Sequence, residues 1–268
     1  MAEVRIGIVG AAGRMGQMLA QEIARTKGCK LAGGCERPGH PALGRDLGEL
    51  AGLGRLGLLV GDDPDAVFAA ADAVLDFTSP QASVRHAALA AARGTLHVIG
   101  TTGIESDGEA AIRRAAAKAP IILAPNMSMG VTLLLDLVER VAATLDQRYD
   151  IEIVEMHHRH KVDAPSGTAL GLGRAAAKGR GVALDAVAAR GRDGITGPRV
   201  AGAIGFAALR GGDVVGDHSV IFAGEGERLE LTHRAAGRQI YAQGAVRAAL
   251  WGQGKPPGLY SMRDVLGL

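Results

Sequence analysis

The chain has few aromatic residues and only two cysteines, and both shortages restrict what it can be. Aromatic residues make up 3% of the 268 residues, so the hydrophobic core must be built from Ala, Val, Leu and Ile. The two cysteines, Cys29 and Cys35, form neither a disulfide framework nor a pair at metal-ligand spacing. A reducing compartment is therefore expected, and we predict a cytoplasmic protein.

The sequence also lacks the signals of a membrane protein and of a nucleic-acid-binding protein. No window reaches the roughly 18 uninterrupted apolar residues that a transmembrane helix needs. The chain enters an apolar strand directly after Glu3, so no signal peptide is expected. The net charge is only +2, and no basic run contains interleaved aromatic residues. We expect neither a membrane nor a nucleic acid among the partners.

Glycine, in contrast, is abundant, and the first 36 residues arrange it in a pattern typical of a dinucleotide site. A short apolar strand, Val4 to Val9, runs into the turn G-A-A-G-R-M-G, Gly10 to Gly16. A helix follows, and a second strand, Lys30 to Cys35, ends at Glu36 and Arg37. Glycines let the backbone approach a pyrophosphate, the helix N-terminus faces its charge, and the acid reaches the adenosine ribose.

The acid and the base after the second strand indicate which dinucleotide is used. Glu36 favours the two hydroxyls of an unmodified ribose, whereas Arg37 can meet a 2′-phosphate. The pair predicts that NADH and NADPH are both accepted. A tight turn that only packs the helix on the strand is the alternative, because 40 glycines produce such motifs by chance as well.

Strands alternate with helices through the first half of the chain. This predicts an α/β fold with a Rossmann-type, doubly wound parallel sheet. Three successive strands, Ala73–Phe77, Leu96–Ile99 and Ile121–Leu123, end in the polar stretches D-F-T-S-P, G-T-T-G and A-P-N-M-S-M-G. Ligands in such sheets bind outside the carboxyl ends of the strands, although ordinary turns also use these residues.

The second half of the chain has a different pattern, which predicts a second α+β domain with a mixed or antiparallel sheet. A helix, Gly130 to Leu145, precedes an alternating strand, Ile151 to Val154. From Ile204 onward, alternating segments separated by glycine-containing turns predict an antiparallel meander. An exposed sheet face would need covering by other subunits, so we predict a homo-oligomer. The residues expected on that face are Ile204, Phe206, Val220 and Phe222.

The polar stretch E-M-H-H-R-H-K-V-D-A-P-S-G-T-A, Glu155 to Ala169, concentrates the groups that can do chemistry. Its three histidines do not suit a metal ion, because adjacent strand residues point to opposite faces and no acidic or Cys cluster completes a set. Histidine transfers protons near neutral pH. Ser166, Gly167 and Thr168 at a helix start offer N–H groups and hydroxyls to a carboxylate. With a nicotinamide cofactor, this predicts a reductase for a small anion; a solvated loop is the alternative.

These motifs, with G-D-V-V-G-D-H and M-R-D-V-L near the end, resemble those of the 4-hydroxy-tetrahydrodipicolinate reductase (dihydrodipicolinate reductase) family of lysine and diaminopimelate biosynthesis. The resemblance covers essentially the whole chain. It implies NADH- or NADPH-dependent reduction of a small dicarboxylate, 4-hydroxy-tetrahydrodipicolinate, by a homotetramer with a hinge between its domains. It also implies a dinucleotide-binding domain, 1–129 completed by 237–268, and a substrate-binding and oligomerisation domain, 130–236.

The resemblance further implies a role for each matching residue. His157 matches the family's proton donor and acceptor, and Lys161 matches its proton donor. The residues that match its substrate-binding groups are His158, Gly167 and Thr168. Those that match the groups around the pyrophosphate and ribose are Gly10, Ala11, Ala12, Gly13, Arg14, Met15, Glu36 and Arg37. Those that match the groups around the nicotinamide are Gly100, Thr101, Thr102, Ala124, Pro125, Asn126 and Met127.

Two positions depart from the family pattern. Ala12 stands where some members have a further glycine, and Met127 stands where many have phenylalanine, so the cofactor affinity and preference stay open. Two other functions are alternatives: a related two-domain dehydrogenase for another amino-dicarboxylate, and a non-catalytic dinucleotide-sensing protein. The histidine cluster disfavours the sensor, because a sensor needs no proton donor.

Overall fold

In the computed structural model, which describes residues 3–268, the chain divides into two units. One unit runs to Met129 and is completed by Gln239–Leu268, and the other unit is Gly130–Arg238. Within the described residues, every helix is too short or too polar to cross a membrane.

The regular elements are numbered along the chain. The strands are β1 (Val4–Val9), β2 (Cys29–Cys35), β3 (Ala73–Asp76), β4 (Leu96–Ile99), β5 (Pro120–Leu123), β6 (Asp150–His157), β7 (Ala188–Ala189), β8 (Ile204–Arg210), β9 (Gly216–Ala223), β10 (Arg228–Ala235) and β11 (Gly258–Tyr260). The helices are α1 (Arg14–Arg25), α2 (Leu47–Leu50), α3 (Pro64–Ala70), α4 (Pro80–Arg93), α5 (Ser106–Ala116), α6 (Met129–Thr144), α7 (Gly167–Gly179), α8 (Leu184–Val187), α9 (Gln239–Trp251) and α10 (Met262–Leu266).

Six parallel strands form the sheet of the first unit, in the order β11-β5-β4-β3-β1-β2. Their apolar side chains, such as Ile6, Ile8 and Leu75, are fully buried, as expected for strands covered on both faces. The chain leaves β1 toward β2 and then returns to β3 on the other side of β1. The carboxyl ends of β1 and β3 therefore flank the switch point where such sheets bind ligands. The predicted doubly wound α/β sheet is confirmed.

The tail of the chain contributes more to this sheet than its sequence indicates. The sequence from Gly258 predicts only a possible helical turn, whereas the structure has β11 paired in parallel with β5, followed by α10. Three residues are too few to show the alternation by which a strand is recognised.

The second unit has a mixed five-stranded sheet in the order β10-β9-β6-β8-β7. The predicted mixed sheet is confirmed, and β9 and β10 pair antiparallel as expected. The predicted meander is wrong for β8 and β9, because β6 lies between them, parallel to β8 and antiparallel to β9. The link from Arg210 to Gly216 was expected to be a hairpin turn. It instead passes beyond the end of β6, a distance of about two strand spacings, or roughly 10 Å.

One face of this second sheet packs on two helices of the same unit. Residues of β6, β8 and β9 form a core with residues of α6 and α7, among them Leu134 and Leu172. The prediction that four sheet residues need other subunits to cover them is wrong, because they lie in this core with exposures between 0% and 7%. These residues are Ile204, Phe206, Val220 and Phe222.

Candidate functional site

The glycine turn between β1 and α1 has the geometry of an anion-binding turn. Gly10 has φ +74°, a left-handed conformation that side chains disfavour. A Cβ placed on Gly16 would lie 2.3 Å from the Gly10 carbonyl oxygen, so α1 packs directly on the turn. Gly13 is the N-cap of α1, with no side-chain cap and no acid in the first turn. The first N–H groups of α1 are therefore suited to a phosphate.

The acid after β2 lies against this turn. The Glu36 carboxylate accepts the Ala12 N–H at 3.0 Å and the Arg37 N–H at 3.3 Å. Arg37 and Arg14 are exposed, whereas Ala11 is buried and Met15 packs on the core. The structure thus brings the turn and the acid together, leaves the two arginines exposed, and gives Ala11 a packing role.

A buried polar cluster, which the sequence analysis missed, lies at the ends of β3 and β4. Asp76 has no exposed surface and accepts hydrogen bonds from the Thr78 hydroxyl at 2.6 Å, His86 Nδ1 at 2.8 Å and His97 Nε2 at 3.1 Å. Burial alone would raise the pKa of Asp76, but the two histidines outweigh it and hold that pKa well below its usual range. An Asp and a His within apolar strands were the available signal.

This Asp76 cluster also holds one of the residues expected near the nicotinamide. The Thr101 hydroxyl accepts the Thr78 N–H at 3.1 Å and the Ser83 hydroxyl at 2.7 Å. The loops after β3 and β4 are therefore tied together, and the Thr101 side chain is used within the protein. Thr102, in contrast, is exposed.

The third polar loop, after β5, also departs from the expected picture. Met127 is 1% exposed, so its thioether packs in the core of the unit. A Cβ on Gly244 would lie 1.7 Å from the Met127 carbonyl oxygen, which shows how closely α9 approaches this loop. Asn126 accepts the Ser128 N–H at 2.9 Å, Pro125 is exposed and Ala124 is buried.

In the second unit, β6 extends three residues beyond its expected end at Val154 and includes the start of the central polar stretch. Because strand side chains alternate, Glu155 and His157 continue the buried face that Ile151 and Ile153 begin. This face changes from apolar to polar at Glu155.

Glu155 is the centre of a hydrogen-bonded cluster. It is 1% exposed, and Arg210 donates to both of its carboxylate oxygens at 2.8 Å. His157 Nδ1 lies 2.5 Å from Glu155 Oε2, and the Ser166 N–H donates to Oε1 at 3.2 Å. Burial alone would raise the pKa of Glu155, but Arg210 and His157 outweigh it and lower that pKa below its ordinary value.

His218, on the neighbouring strand β9, completes this Glu155 cluster, and the sequence analysis missed it. Its Nε2 lies 3.0 Å from the Ser166 hydroxyl, which also caps α7 by accepting the Ala169 N–H. Its ring packs edge-on against His157, with centroids 5.1 Å apart. Burial is the main cause, and the nearby His157 the second, of a pKa for His218 that is lowered to about 4. His218 is therefore neutral near pH 7.

The other central residues lie on the loop between β6 and α7 and at the start of α7. Lys161 Nζ forms a 2.8 Å ion pair with Asp163, and the Asp163 carbonyl accepts from Arg210. His158 is half-buried, and its Nδ1 has no hydrogen-bond partner among the described residues. Gly167 begins α7 and is exposed, and a Cβ added to it would meet no atom within 4 Å. The remaining residues are half-buried Thr168 and exposed Arg159 and His160.

Both units match family models. The model described as "Dihydrodipicolinate reductase, N-terminus" matches residues 4–127, and the one described as "Dihydrodipicolinate reductase, C-terminus" matches residues 130–266. The chain belongs to the dihydrodipicolinate reductase family. A curated member from Brucella abortus is 60% identical over 97% of this chain and 98% of its own length. A member from Parvibaculum lavamentivorans is 59% identical over 100% and 99%. Both are named 4-hydroxy-tetrahydrodipicolinate reductase.

Solved structures agree with this fold. A dipicolinate-bound dihydrodipicolinate reductase from Paenisporosarcina sp. TG-14 has a TM-score of 0.77 and 23% identity, with 98% of each chain covered. A diaminopimelate dehydrogenase from C. glutamicum, in complex with diaminopimelate, has a TM-score of 0.54 and 12% identity, covering 98% of this chain and 93% of its own. At these identities the likeness concerns the fold.

Proposed function

We propose that this family member reduces 4-hydroxy-tetrahydrodipicolinate to tetrahydrodipicolinate with NADH or NADPH. One substrate, one NAD(P)H and one proton give the product, NAD(P)⁺ and water. The observation that carries the proposal is the identity of about 60% to reductases of this name over nearly the whole chain. The alternatives of another dehydrogenase or a sensor have no comparable support.

The residues of the first unit fit a dinucleotide. The turn from Gly10 to Met15 would hold the pyrophosphate, because it presents helix N–H groups with no acid in the first turn. Glu36 would take the ribose hydroxyls, and exposed Arg37 would take a 2′-phosphate. When bound, the cofactor supplies a hydride. The residues proposed around its nicotinamide are Gly100, Thr101, Thr102, Ala124, Pro125, Asn126 and Met127.

The residues of the second unit fit a dicarboxylate. Gly167 is exposed at the N-terminus of α7, where backbone N–H groups and the helix dipole favour a carboxylate. Thr168 adds a hydroxyl, and His158 adds an imidazole with an unpartnered Nδ1. We assign these three residues to the carboxylates of the substrate.

Two residues are assigned to proton transfer. Lys161 is held by Asp163 on the loop before α7, and we assign it as the donor of the proton that completes the reduction. We assign His157 to accept and donate a proton in the same reaction, since its Nδ1 is hydrogen-bonded to Glu155. Loss of the substrate hydroxyl as water takes up one proton and releases another from the adjacent ring carbon, so it uses no net proton, and the same pair can deliver the first and accept the second.

A cofactor-oxidation assay tests the proposed function. Purified protein given 4-hydroxy-tetrahydrodipicolinate should oxidise NADH or NADPH, which is followed by the loss of absorbance at the nicotinamide band. Diaminopimelate with either oxidised cofactor serves as the control for the alternative dehydrogenase and should give no reduction. Absence of oxidation with both cofactors would refute the proposed function.

We also propose a cytoplasmic homotetramer assembled through the open face of the second sheet, opposite α6 and α7. This face carries apolar side chains on neighbouring strands, and Leu209 is 50% exposed. An apolar sheet face that its own unit leaves open is typical of an interface. The other apolar residues on this face are Val154, Met156 and Ile221, which are half-buried.

The open face gives a direct test of assembly. Leu209→Lys places a charge in the proposed interface and should lower the mass measured by sedimentation at micromolar concentration. Leu56→Lys, at a residue of the first unit that is 45% exposed, is the matched control and should leave the mass unchanged. A wild-type monomer under the same conditions would refute the tetramer.

A further inference from the structure

The bonding of Glu155 goes beyond what an ordinary buried ion pair needs. Among the described residues, its carboxylate takes part in four hydrogen bonds. Two are with the Arg210 guanidinium, one is with the Ser166 N–H and one is with His157 Nδ1. An ionised carboxylate can only accept, so His157 Nδ1 must carry a hydrogen. In the neutral ring, Nε2 is then the atom without one.

A glycine, Gly216, lies next to this second nitrogen, His157 Nε2. A Cβ built on Gly216 would lie 3.0 Å from His157 Nε2, so any larger residue at this position of β9 would crowd it. We infer that Glu155 is a positioning residue, which holds His157 with its hydrogen on Nδ1 and so leaves Nε2 to exchange the proton of the reaction. The inference rests on the proposed function and adds to it a residue that never touches the substrate.

Arg210 is what keeps Glu155 in its ionised form in this arrangement. A buried carboxylate next to a histidine alone could take up that histidine's proton, which would leave Nδ1 free. The guanidinium of Arg210 stays charged at every working pH and lies 2.8 Å from both oxygens of Glu155. It therefore keeps Glu155 ionised, and an ionised Glu155 keeps the hydrogen on Nδ1.

His218, on the neighbouring strand, also contacts His157. His218 of β9 packs edge-on against the ring at 5.1 Å and is itself tied to Ser166, the N-cap of α7. Lys161 of the loop and His233 of β10 both act on the pKa of His218. The His157 ring is thus fixed by Glu155 on its strand and by His218 beside it.

The alternative is that Glu155 and Arg210 only close the end of the sheet. Strand β6 offers a matched control, Glu152, which lies on the face of the strand opposite to Glu155. Like Glu155, it is paired with arginine, in this case Arg192 and Arg199. Within the part of the chain that the structure describes, no histidine is hydrogen-bonded to Glu152. A purely structural role would make Glu155→Gln and Glu152→Gln similar in every respect except stability.

The test is the tautomer of His157, read from the ¹⁵N chemical shifts of its ring without substrate, together with kinetics. In the wild-type protein we expect one neutral tautomer, with hydrogen on Nδ1. In Glu155→Gln both tautomers should be populated, and kcat should fall about 10- to 100-fold, as when the orienting partner of a metal-bound histidine is removed. The KM for NADPH should not change. Glu152→Gln should match the wild type in tautomer and kcat, at the same assembly state by size-exclusion chromatography.

A second variant covers the case in which Glu155→Gln fails to fold. Glu155→Asp keeps the charge for Arg210 but is about 1.5 Å shorter, so it should lose the bond to His157 and show the same mixed tautomers and lower kcat. A single unchanged tautomer, or unchanged kcat, in a folded variant would overturn the inference. Because the shifts are read without substrate, they decide on Glu155 even if wild-type protein shows no turnover, which would refute only the proposed function.

Discussion

The two units each contain a buried carboxylate at the end of an interior strand, but the partners of the two carboxylates differ. Asp76 in the first unit is balanced by His86 and His97, whose charges depend on pH. Glu155 in the second unit is balanced by Arg210, whose charge does not. The first arrangement binds loops to one another, whereas the second leaves one histidine nitrogen available. Chemistry is therefore expected to depend on the second cluster, and cofactor binding on the first.

The largest expected effect is on the chemistry of the second unit. Lys161→Ala removes the proposed proton donor and should lower kcat about 10²- to 10⁴-fold, the usual contribution of general acid catalysis. The KM for NADPH should stay the same, because the residues proposed to hold the cofactor lie in the first unit. Lys178→Ala, which removes an exposed lysine paired with Glu139, is the control. A kcat near the wild-type value in Lys161→Ala would contradict the assignment of the chemistry to the second unit.

The Asp76 cluster should show the opposite response. Asp76→Asn removes a fully buried charge and leaves two histidines without it, which should lower the free energy of unfolding by about 3–5 kcal/mol. The KM for NADPH should rise as the loops after β3 and β4 loosen, with kcat little changed. Both quantities can be measured by urea denaturation and steady-state kinetics.

The control for Asp76 is another aspartate of the same unit. Asp72 pairs with Arg5 at the surface, so Asp72→Asn should cost only about 0.2–1 kcal/mol and leave the KM unchanged. If Asp76→Asn lowers kcat and leaves the KM alone, the assignment of cofactor binding to the first cluster is wrong.

The sequence predicted the first unit well because its signals are local. The glycine turn, the acid after β2 and the alternation of apolar strands with helices each occupy a few neighbouring residues, and the structure confirms the doubly wound sheet. The family of the chain followed from motifs that are equally local, and the family models confirm it.

The second unit was harder because its order depends on distant pairings. Nothing near Ile204 or Gly216 shows that β6 will lie between the strands that they begin. Two members of the Glu155 cluster were missed for the same reason, since Arg210 and His218 come more than 50 residues after Glu155 in the chain. The polar residues within apolar strands, among them His97 and His218, were the one signal available, because a buried polar group needs a partner.

The smallest effect concerns the pH dependence of stability in the Glu155 cluster. The pKa of His218 is about 4 in the folded protein and about 6.5 when unfolded. As the pH falls between these values, the unfolded chain binds a proton that the folded protein does not, so His218 lowers the free energy of unfolding. The loss begins near pH 6.5, is complete below about pH 4, and amounts to at most about 3 kcal/mol.

Urea denaturation at pH 7.5 and pH 5, followed by circular dichroism, measures this contribution. The wild type should lose about 2 kcal/mol more between the two pH values than His218→Gln, in which the group that gains the proton is gone. His160→Gln, at an exposed position of the loop before α7, should lose as much as the wild type. An equal loss in the wild type and His218→Gln would show that His218 is not held neutral by burial.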